Sequence, residues 1–450
     1  MNMEHGTVII GNGIAGITAA RHLRKHSKGR IQVISAESPY FFSRTALMYV
    51  YMGHMKFEHI QPYENWFWEK NRIELVVATV LSIDPEAKSL SLNTGETLPY
   101  DKLVIATGSA TNYYNWPGQD LKGVLGLYSK QDLELLETLG PAPSEKDSNT
   151  KHAVIVGAGL IGVELAEMLH TRGVHITILV REEVFWGNVL TRQEGKLIGE
   201  HLAARGIDLR FKTNLKAIKP DQNGRVSHVE TEAGERIDCQ IVGITTGVKA
   251  NIAWLGDLPI EKDKGILVDE YLETSIPGIY AAGDCAQVRN PLEGRRPLEP
   301  VWYVGRMMGE ALGRTLAGQR TAYKPGPWFN SAKFFDLEYQ TYGIVKPVAD
   351  ETQTHYFWKM PDKEKFMTVA YHPESGKFIG VNTFGIRLRH EYFDLALRQG
   401  WQVGEVIGGM KKANFDPEFY KSWYSILVAD FEKTTGITTS RKLILTNLFR

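Results

Sequence analysis

Short apolar runs, each closed by glycines and followed by apolar positions three and four apart, recur along the chain. Val8-Ile9-Ile10 leads into Gly11-Asn12-Gly13-Ile14-Ala15-Gly16, after which Ile17, Ala20 and Leu23 share one face of a helix. Val154-Ile155-Val156 leads in the same way into Gly157-Ala158-Gly159-Leu160-Ile161-Gly162 and a second helical pattern. A continuous apolar run bounded by turn residues suits a strand buried on both faces, so each motif is predicted at a parallel strand turning into a helix. In that context glycine lets the backbone approach a pyrophosphate, while the helix N-terminus offers free N–H donors and a partial positive charge. The pattern predicts an α/β fold with two Rossmann-like domains. Gly11, Gly13, Ile14, Ala15 and Gly16 form one phosphate cradle; Gly157, Gly159, Leu160, Ile161 and Gly162 form the other. Two cradles in one chain point to two dinucleotides held at once, the arrangement that passes a hydride from nicotinamide to flavin.

A second strand, Ile31 to Ser35, ends just before Glu37. That carboxylate lies about 20 residues past the last glycine of the first motif, where it accepts both hydroxyls of a ribose without a 2′-phosphate. FAD and NAD both fit; a solvated carboxylate after a strand is the weaker alternative. Two further strands end in small-residue turns, one at Ala106-Thr107-Gly108 and one at Ala282-Gly283-Asp284.

The order of first fingerprint, Ala-Thr-Gly turn, second fingerprint and Ala-Gly-Asp resembles the two-dinucleotide-binding-domain flavoproteins, the pyridine nucleotide–disulfide oxidoreductase superfamily, over most of residues 5 to 320. The resemblance implies that the first fingerprint holds FAD. It also implies that Asp284, beside Gly283, hydrogen-bonds the ribityl chain, and that Ala106, Thr107 and Gly108 pass near the flavin. The second fingerprint then takes NAD(P)H. It further implies an FAD domain over 1–118 and 249–320, an inserted NAD(P)H domain over 119–248, and a small α+β domain over 321–450. The clearest linker is Thr321-Ala322-Tyr323-Lys324-Pro325-Gly326-Pro327, and Gly140 to Lys151 reads as a loop.

Cysteine usage separates the branches. Only Cys239 and Cys285 occur, with no Cys-x-x-Cys pair, so a dithiol relay is not expected and both read as core residues. Arg44 stands where another branch has its redox cysteine. The segment around it is similar to the aromatic-x-Arg-Pro-x-Leu-Ser-Lys of ferredoxin, rubredoxin and putidaredoxin reductases and apoptosis-inducing factors. Here Thr45 replaces the proline, Met48 the serine and Tyr49 the lysine. In that branch the lysine pairs with a glutamate by the flavin, which Glu164 matches. Tyr49 is then the candidate partner of Glu164, or the flavin environment differs; an ordinary helix carboxylate is an equal reading of Glu164.

Coenzyme choice falls to the end of the strand Ile176 to Val180. The position of the glutamate in NADH-specific relatives is Val180 here, and Arg181 matches the arginine by which NADPH-specific relatives hold the 2′-phosphate. Glu182 and Glu183 would repel a phosphate or hold bare ribose hydroxyls. The reading leans to NADPH, with an unselective Arg-Glu-Glu loop as the rival. In the third domain Pro327-Trp328-Phe329-Asn330-Ser331 resembles the Pro-Trp-Phe-Trp-Ser of ferredoxin-reductase-like C-terminal domains. That likeness makes Trp328 a candidate flavin-pocket wall, against a core role.

At the C-terminus Asp416-Pro417 signals a helix start, and Phe415, Phe419, Trp423, Leu427 and Phe431 form an apolar stripe before Gly436. A helix packed on its own domain is favoured; the rival is a peripheral membrane contact by the mixed basic and apolar stretch from Ser440 to Arg450.

A chain of 450 residues suits about three domains of roughly 150 residues each. Lys+Arg 52 balance Asp+Glu 52, so charge gives no support to a nucleic-acid partner. No metal site is read. The first strand begins within a few residues of Met1 and no run suffices to span a bilayer, so a cytoplasmic location is expected. The expected activity is that of an FAD-dependent NAD(P)H oxidoreductase passing electrons to an acceptor, a ferredoxin- or rubredoxin-type carrier first. A membrane-surface quinone reductase and an apoptosis-inducing-factor-like redox-controlled binding protein are the alternatives. Oligomeric state, homodimer included, is left open.

Overall fold

The computed structural model describes residues 5–142, 149–361, 364–415 and 423–440. The chain divides into two compact units, Met1–Arg181 with Ile207–Pro325, and Glu182–Gly206 with Gly326–Arg450.

The first unit contains two five-stranded parallel sheets, each built around a fingerprint strand. In one, Thr7–Ile10 lies between Lys102–Ile105 and Ile31–Ser35, flanked in turn by Ile279–Ala281 and Glu74–Val77. In the other, His152–Val156 lies between His175–Val180 and Ile241–Ile244, with Asp208–Phe211 and Val124–Leu125 outermost. The central strands are buried along their apolar lengths, as near-continuous Val/Ile runs require of strands covered on both faces. Helices Ile14–His26 and Leu160–Thr171 follow the two fingerprints.

The two cradles share one backbone solution. Gly11 and Gly157 sit at φ +109° and +110°, values that L side chains rarely adopt, and a Cβ at Gly11 would run into the Ala106 carbonyl. Helix Trp302–Leu316 packs on Ile14–His26 through Gly309 and Gly313, where a Cβ would meet the carbonyls of Ala15 and Ala19 at 2.5 and 2.7 Å. That close packing fixes the start of the helix, and Trp302 with it, beside the first cradle.

In the second unit an antiparallel sheet runs in the order Phe329–Phe334, Leu337–Gly343, Phe378–Phe384, Phe366–Tyr371, Thr354–Lys359. The stretch from Tyr371 to Gly380 forms a hairpin turning at Gly376, φ +66°. Helix Tyr424–Thr435 buries Leu427 and Phe431 completely in this unit's aromatic core and ends at Gly436 in the left-handed conformation. Phe415 is exposed, while Asp416, Pro417, Phe419 and Arg441 to Arg450 lie outside the described residues. Helix Arg192–Ala203, assigned from sequence to the inserted coenzyme domain, belongs to this second unit. Its N-terminus is closed by a reciprocal cap between Thr191 and Glu194. Among the described residues no helix is long and apolar enough to cross a membrane.

Candidate active site

The first unit holds a cleft of about 630 Å³ along the C-terminal ends of the first parallel sheet. Its floor is the fingerprint loop. Gly11 donates its N–H to Ile34 O at 2.8 Å, and the Asn12 side-chain amide donates to Ser38 O at 2.7 Å, tying the loop to the end of the next strand. A Cβ built at Gly16 would collide with the Gly11 carbonyl, whereas one built at Gly13 would meet nothing within 4 Å. Gly16 is thus required by the protein's own packing. At Gly13 the open direction is the approach path a pyrophosphate needs.

Glu37 stands at the cleft wall, paired with Arg44. The guanidinium donates to both carboxylate oxygens at 2.8 and 2.6 Å and to Tyr128 O at 2.5 Å, and Lys130 N–H donates to Glu37 Oε1 at 2.9 Å. The Arg44 guanidinium lies 4.5 Å from the Tyr128 ring centroid and 5.2 Å from that of Phe42. Burial, the largest influence, disfavours its charge, but the hydrogen bond and charge of Glu37 together with Tyr128 and Asp284 outweigh it and raise the guanidinium pKa.

Asp284 also lines the cleft, joined to the Arg44 side through Tyr128. Ser109 Oγ and Tyr128 Oη donate to its Oδ2 at 2.9 and 3.2 Å, and Tyr128 Oη accepts the Ser109 N–H at 2.9 Å. Removal from water pushes the Asp284 carboxyl pKa up, opposed by these donors and by Arg44. The same burial, with Asp284 adding to it, pushes the Tyr128 phenol up, so it stays a donor at neutral pH. The Ala106-Thr107-Gly108 turn also lines the cleft and is held by Asn251. Thr107 Oγ1 donates to Asn251 O at 2.8 Å, and Asn251 N–H donates to Gly108 O at 2.9 Å.

The structure brings Gly11, Gly13, Ile14, Ala15, Glu37, Arg44, Ala106, Thr107, Gly108, Gly283 and Asp284 to one cleft. Ile161 and Glu164 of the second fingerprint helix face it as well. On the short helix Leu47–Tyr51 it is Leu47 and Met48 that line the cleft, while Tyr49 stacks on His54 with ring centroids 6.0 Å apart. In the second cradle Gly159 caps the helix with extended backbone, Leu160 opens it, and a Cβ at Gly162 would press on the Gly157 carbonyl. Arg181 is exposed directly after its strand. Glu182 opens the second unit, and Glu183 pairs with Arg192 at 3.0 Å. Trp328 lies in the second unit, its carbonyl accepting from Gly343 N–H at 2.8 Å.

Tyr128, Asn251, Trp254 and Trp302 line the cleft without having been singled out from sequence. Trp302 lines the cleft, and its indole N–H is buried with no hydrogen-bond partner among the described residues. The open path at Gly13, the Glu37 carboxylate and this indole donor fit a flavin dinucleotide whose phosphate, ribose and ring carbonyl groups each need a partner. The thiols of Cys239 and Cys285 are both fully buried; burial pushes Cys239 up to about 12 and raises Cys285, so neither is a thiolate at neutral pH.

One fingerprint cradle and the first turns of the second fingerprint helix line a single cleft, the arrangement of a two-dinucleotide flavoprotein. Residues 5–309 match the pyridine nucleotide-disulphide oxidoreductase family, and the chain belongs to it. It is 30% identical over 290 residues to the rubredoxin-NAD(+) reductase of Ectopseudomonas oleovorans, covering 64% of this chain and 73% of that one. It is 31% identical over 336 residues to the rhodocoxin reductase of Rhodococcus erythropolis, covering 73% and 75%. The structure of the ferredoxin reductase for the CYP199A2 system from Rhodopseudomonas palustris superposes with a TM-score of 0.80 at 23% identity, over 92% of this chain and 98% of that one. The chain is an FAD-dependent NAD(P)H oxidoreductase of mixed α/β fold.

Proposed function

We propose that this enzyme takes reducing equivalents from NAD(P)H and delivers them one at a time to a small ferredoxin- or rubredoxin-type carrier, without any thiol step. Bound FAD supplies a centre that accepts two electrons together and releases them singly. The protein's own part is binding and electrostatics. Glu37 and Arg44 hold the adenosine side, Gly13 admits the pyrophosphate, and Asp284, held by Ser109 and Tyr128, holds the ribityl side. Met48 and Glu164 face the ring region. Both thiols are fully buried and neither lines this cleft, and that observation carries the reading: no described side chain lining it can shuttle electrons as a disulfide. The relatives named above as reductases of rubredoxin and rhodocoxin support the choice of acceptor.

For the coenzyme we favour NADPH, because Arg181 stands exposed at the strand end where a 2′-phosphate is read and a guanidinium suits it. The test is turnover of the purified yellow protein with each coenzyme against a ferredoxin, a rubredoxin, a short-chain quinone and oxygen. Carrier reduction at least about tenfold faster than quinone or oxygen reduction supports the reading. Preferential quinone reduction overturns it.

A further inference from the structure

Arg172 caps the C-terminus of the second fingerprint helix, two turns past Glu164, and its side chain is only 6% exposed. Its Nε and one terminal nitrogen donate to Tyr51 O at 3.1 and 2.5 Å. The terminal nitrogens fork onto the Glu137 carboxylate at 2.7 Å each, and one of them also donates to Pro141 O at 2.9 Å. The guanidinium lies 3.5 Å over the Tyr51 ring, itself fully buried. One buried side chain therefore joins three pieces of the first unit: the C-terminal residue of helix Leu47–Tyr51, helix Lys130–Leu139, and the helix Leu160–Thr171 that it terminates.

Two of these helices face the cleft. Leu47 and Met48 are on the first, Ile161 and Glu164 on the helix ended by Arg172. Helix Leu47–Tyr51 is little more than one turn long, too short to hold its place by its own hydrogen bonds. Its C-terminal carbonyl needs a partner and obtains it from Arg172, a cation favourably placed at a helix C-terminus. Lysine could not replace this arrangement, since one ammonium cannot fork onto Glu137, reach two carbonyls and lie flat on a ring together.

Resting on the reading of the cleft as a flavin and nicotinamide site, we propose that Arg172 is a positioning residue for hydride transfer. It sets the distance between the flavin-side helix bearing Met48 and the coenzyme-side helix bearing Glu164, and so the stacking of the two rings, without touching either. Misplacement of reacting groups by about 1 Å costs on the order of a hundredfold in rate.

The experiment compares wild type, Arg172→Lys and Glu137→Gln as FAD-loaded proteins. It measures FAD content, melting temperature, coenzyme Kd, the long-wavelength charge-transfer band of the mixed protein and coenzyme, and the stopped-flow rate of flavin bleaching at saturating coenzyme. Arg172→Lys should keep FAD and keep the coenzyme Kd within about twofold, yet bleach about ten- to a hundredfold more slowly with a weakened band; Glu137→Gln should fall between. A lowered melting temperature with an unchanged bleaching rate and band overturns the proposal, leaving Arg172 a structural clamp. Should Arg172→Lys fail to fold, Glu137→Gln decides alone by the same rate and band. A wild type that binds no FAD would instead overturn the reading of the cleft.

Discussion

Arg44 forks onto both oxygens of Glu37, at 2.8 and 2.6 Å, so the carboxylate expected to hold a ribose is itself held by the arginine that stands in another branch's cysteine position. Charge-assisted bonds of this kind contribute about 1.5–3 kcal/mol, which is roughly ten- to a hundredfold in binding. Arg44→Met should weaken FAD binding by that factor, and Arg44→Lys should recover little, because an ammonium neither forks nor stacks between Tyr128 and Phe42. Titration of the apoprotein with FAD, followed by quenching of flavin fluorescence, measures it. Equal affinity in all three proteins would remove the pair from the binding site.

Gly13→Val separates ligand from fold. Its Cβ would meet no protein atom within 4 Å, so the variant should melt within a few degrees of the wild-type apoprotein yet purify colourless, its methyls occupying the pyrophosphate path. A yellow, fully loaded Gly13→Val protein would mean that another loop holds the phosphates.

Thiol independence is tested by removing both sulfurs. The Cys285 thiol donates to Ile105 O at 3.3 Å, so serine suits that position, and Cys239 lies in an apolar core where alanine costs only a small cavity. The Cys239→Ala/Cys285→Ser protein should retain most of the NAD(P)H-dependent reduction of its acceptor. Collapse of turnover with FAD still bound would show that a cysteine carries electrons.

Coenzyme choice is tested at Arg181. Arg181→Glu removes a contact to the 2′-phosphate and adds repulsion, so the NADPH-over-NADH ratio of kcat/KM should fall at least about tenfold. Stopped-flow reduction of the flavin by each coenzyme reads it without any acceptor. A wild type that prefers NADH, or a ratio that does not move, would leave Arg181 a solvated loop residue.

In the second unit Glu194 is wholly buried. Its Oε2 accepts from Thr191 N–H at 2.9 Å and the Asn382 amide at 3.2 Å, while Oε1 has no partner among the described residues. Burial raises its pKa. Below the ordinary carboxyl range both folded and unfolded chains carry the proton; above it the unfolded chain ionises first, so stability falls as pH rises toward the folded pKa. Glu194→Gln, which keeps the cap, should narrow the difference in melting temperature between about pH 5 and pH 8. An unchanged difference would show that Glu194 ionises as freely folded as unfolded.

Both fingerprint strands and their helices were legible because a glycine cradle is local: strand, turn and helix start lie within a few residues, and steric need at Gly11 and Gly157 writes itself into the sequence. Glu37 was singled out by its offset from the first glycine motif and Asp284 by the family resemblance alone, and both line the cleft. Tyr128 and Asn251 were not singled out. They reach the cleft through pairings distant in sequence, Asn251 through the antiparallel pairing of Val248–Ala250 with Ser109–Thr111. Around Arg44 the limit was helical register: each residue turns the side chain by about 100°, so a motif aligned on Arg44 and Leu47 did not single out Met48, which lines the cleft beside Leu47. The Arg172 clamp left no trace because its partners, Tyr51, Glu137 and Pro141, form no motif.

The helix Arg192–Ala203 lies between two stretches of the first unit in sequence but folds with the C-terminal sheet, where Glu194 meets Asn382. The chain therefore passes between its two units three times, after Arg181, after Gly206 and after Pro325. A gene fragment cut at the Pro-rich linker would leave the second unit without the helix that carries Glu194. Inheritance of this C-terminal unit by recombination would thus require two separated stretches of coding sequence to travel together, so that no single contiguous cut exchanges it.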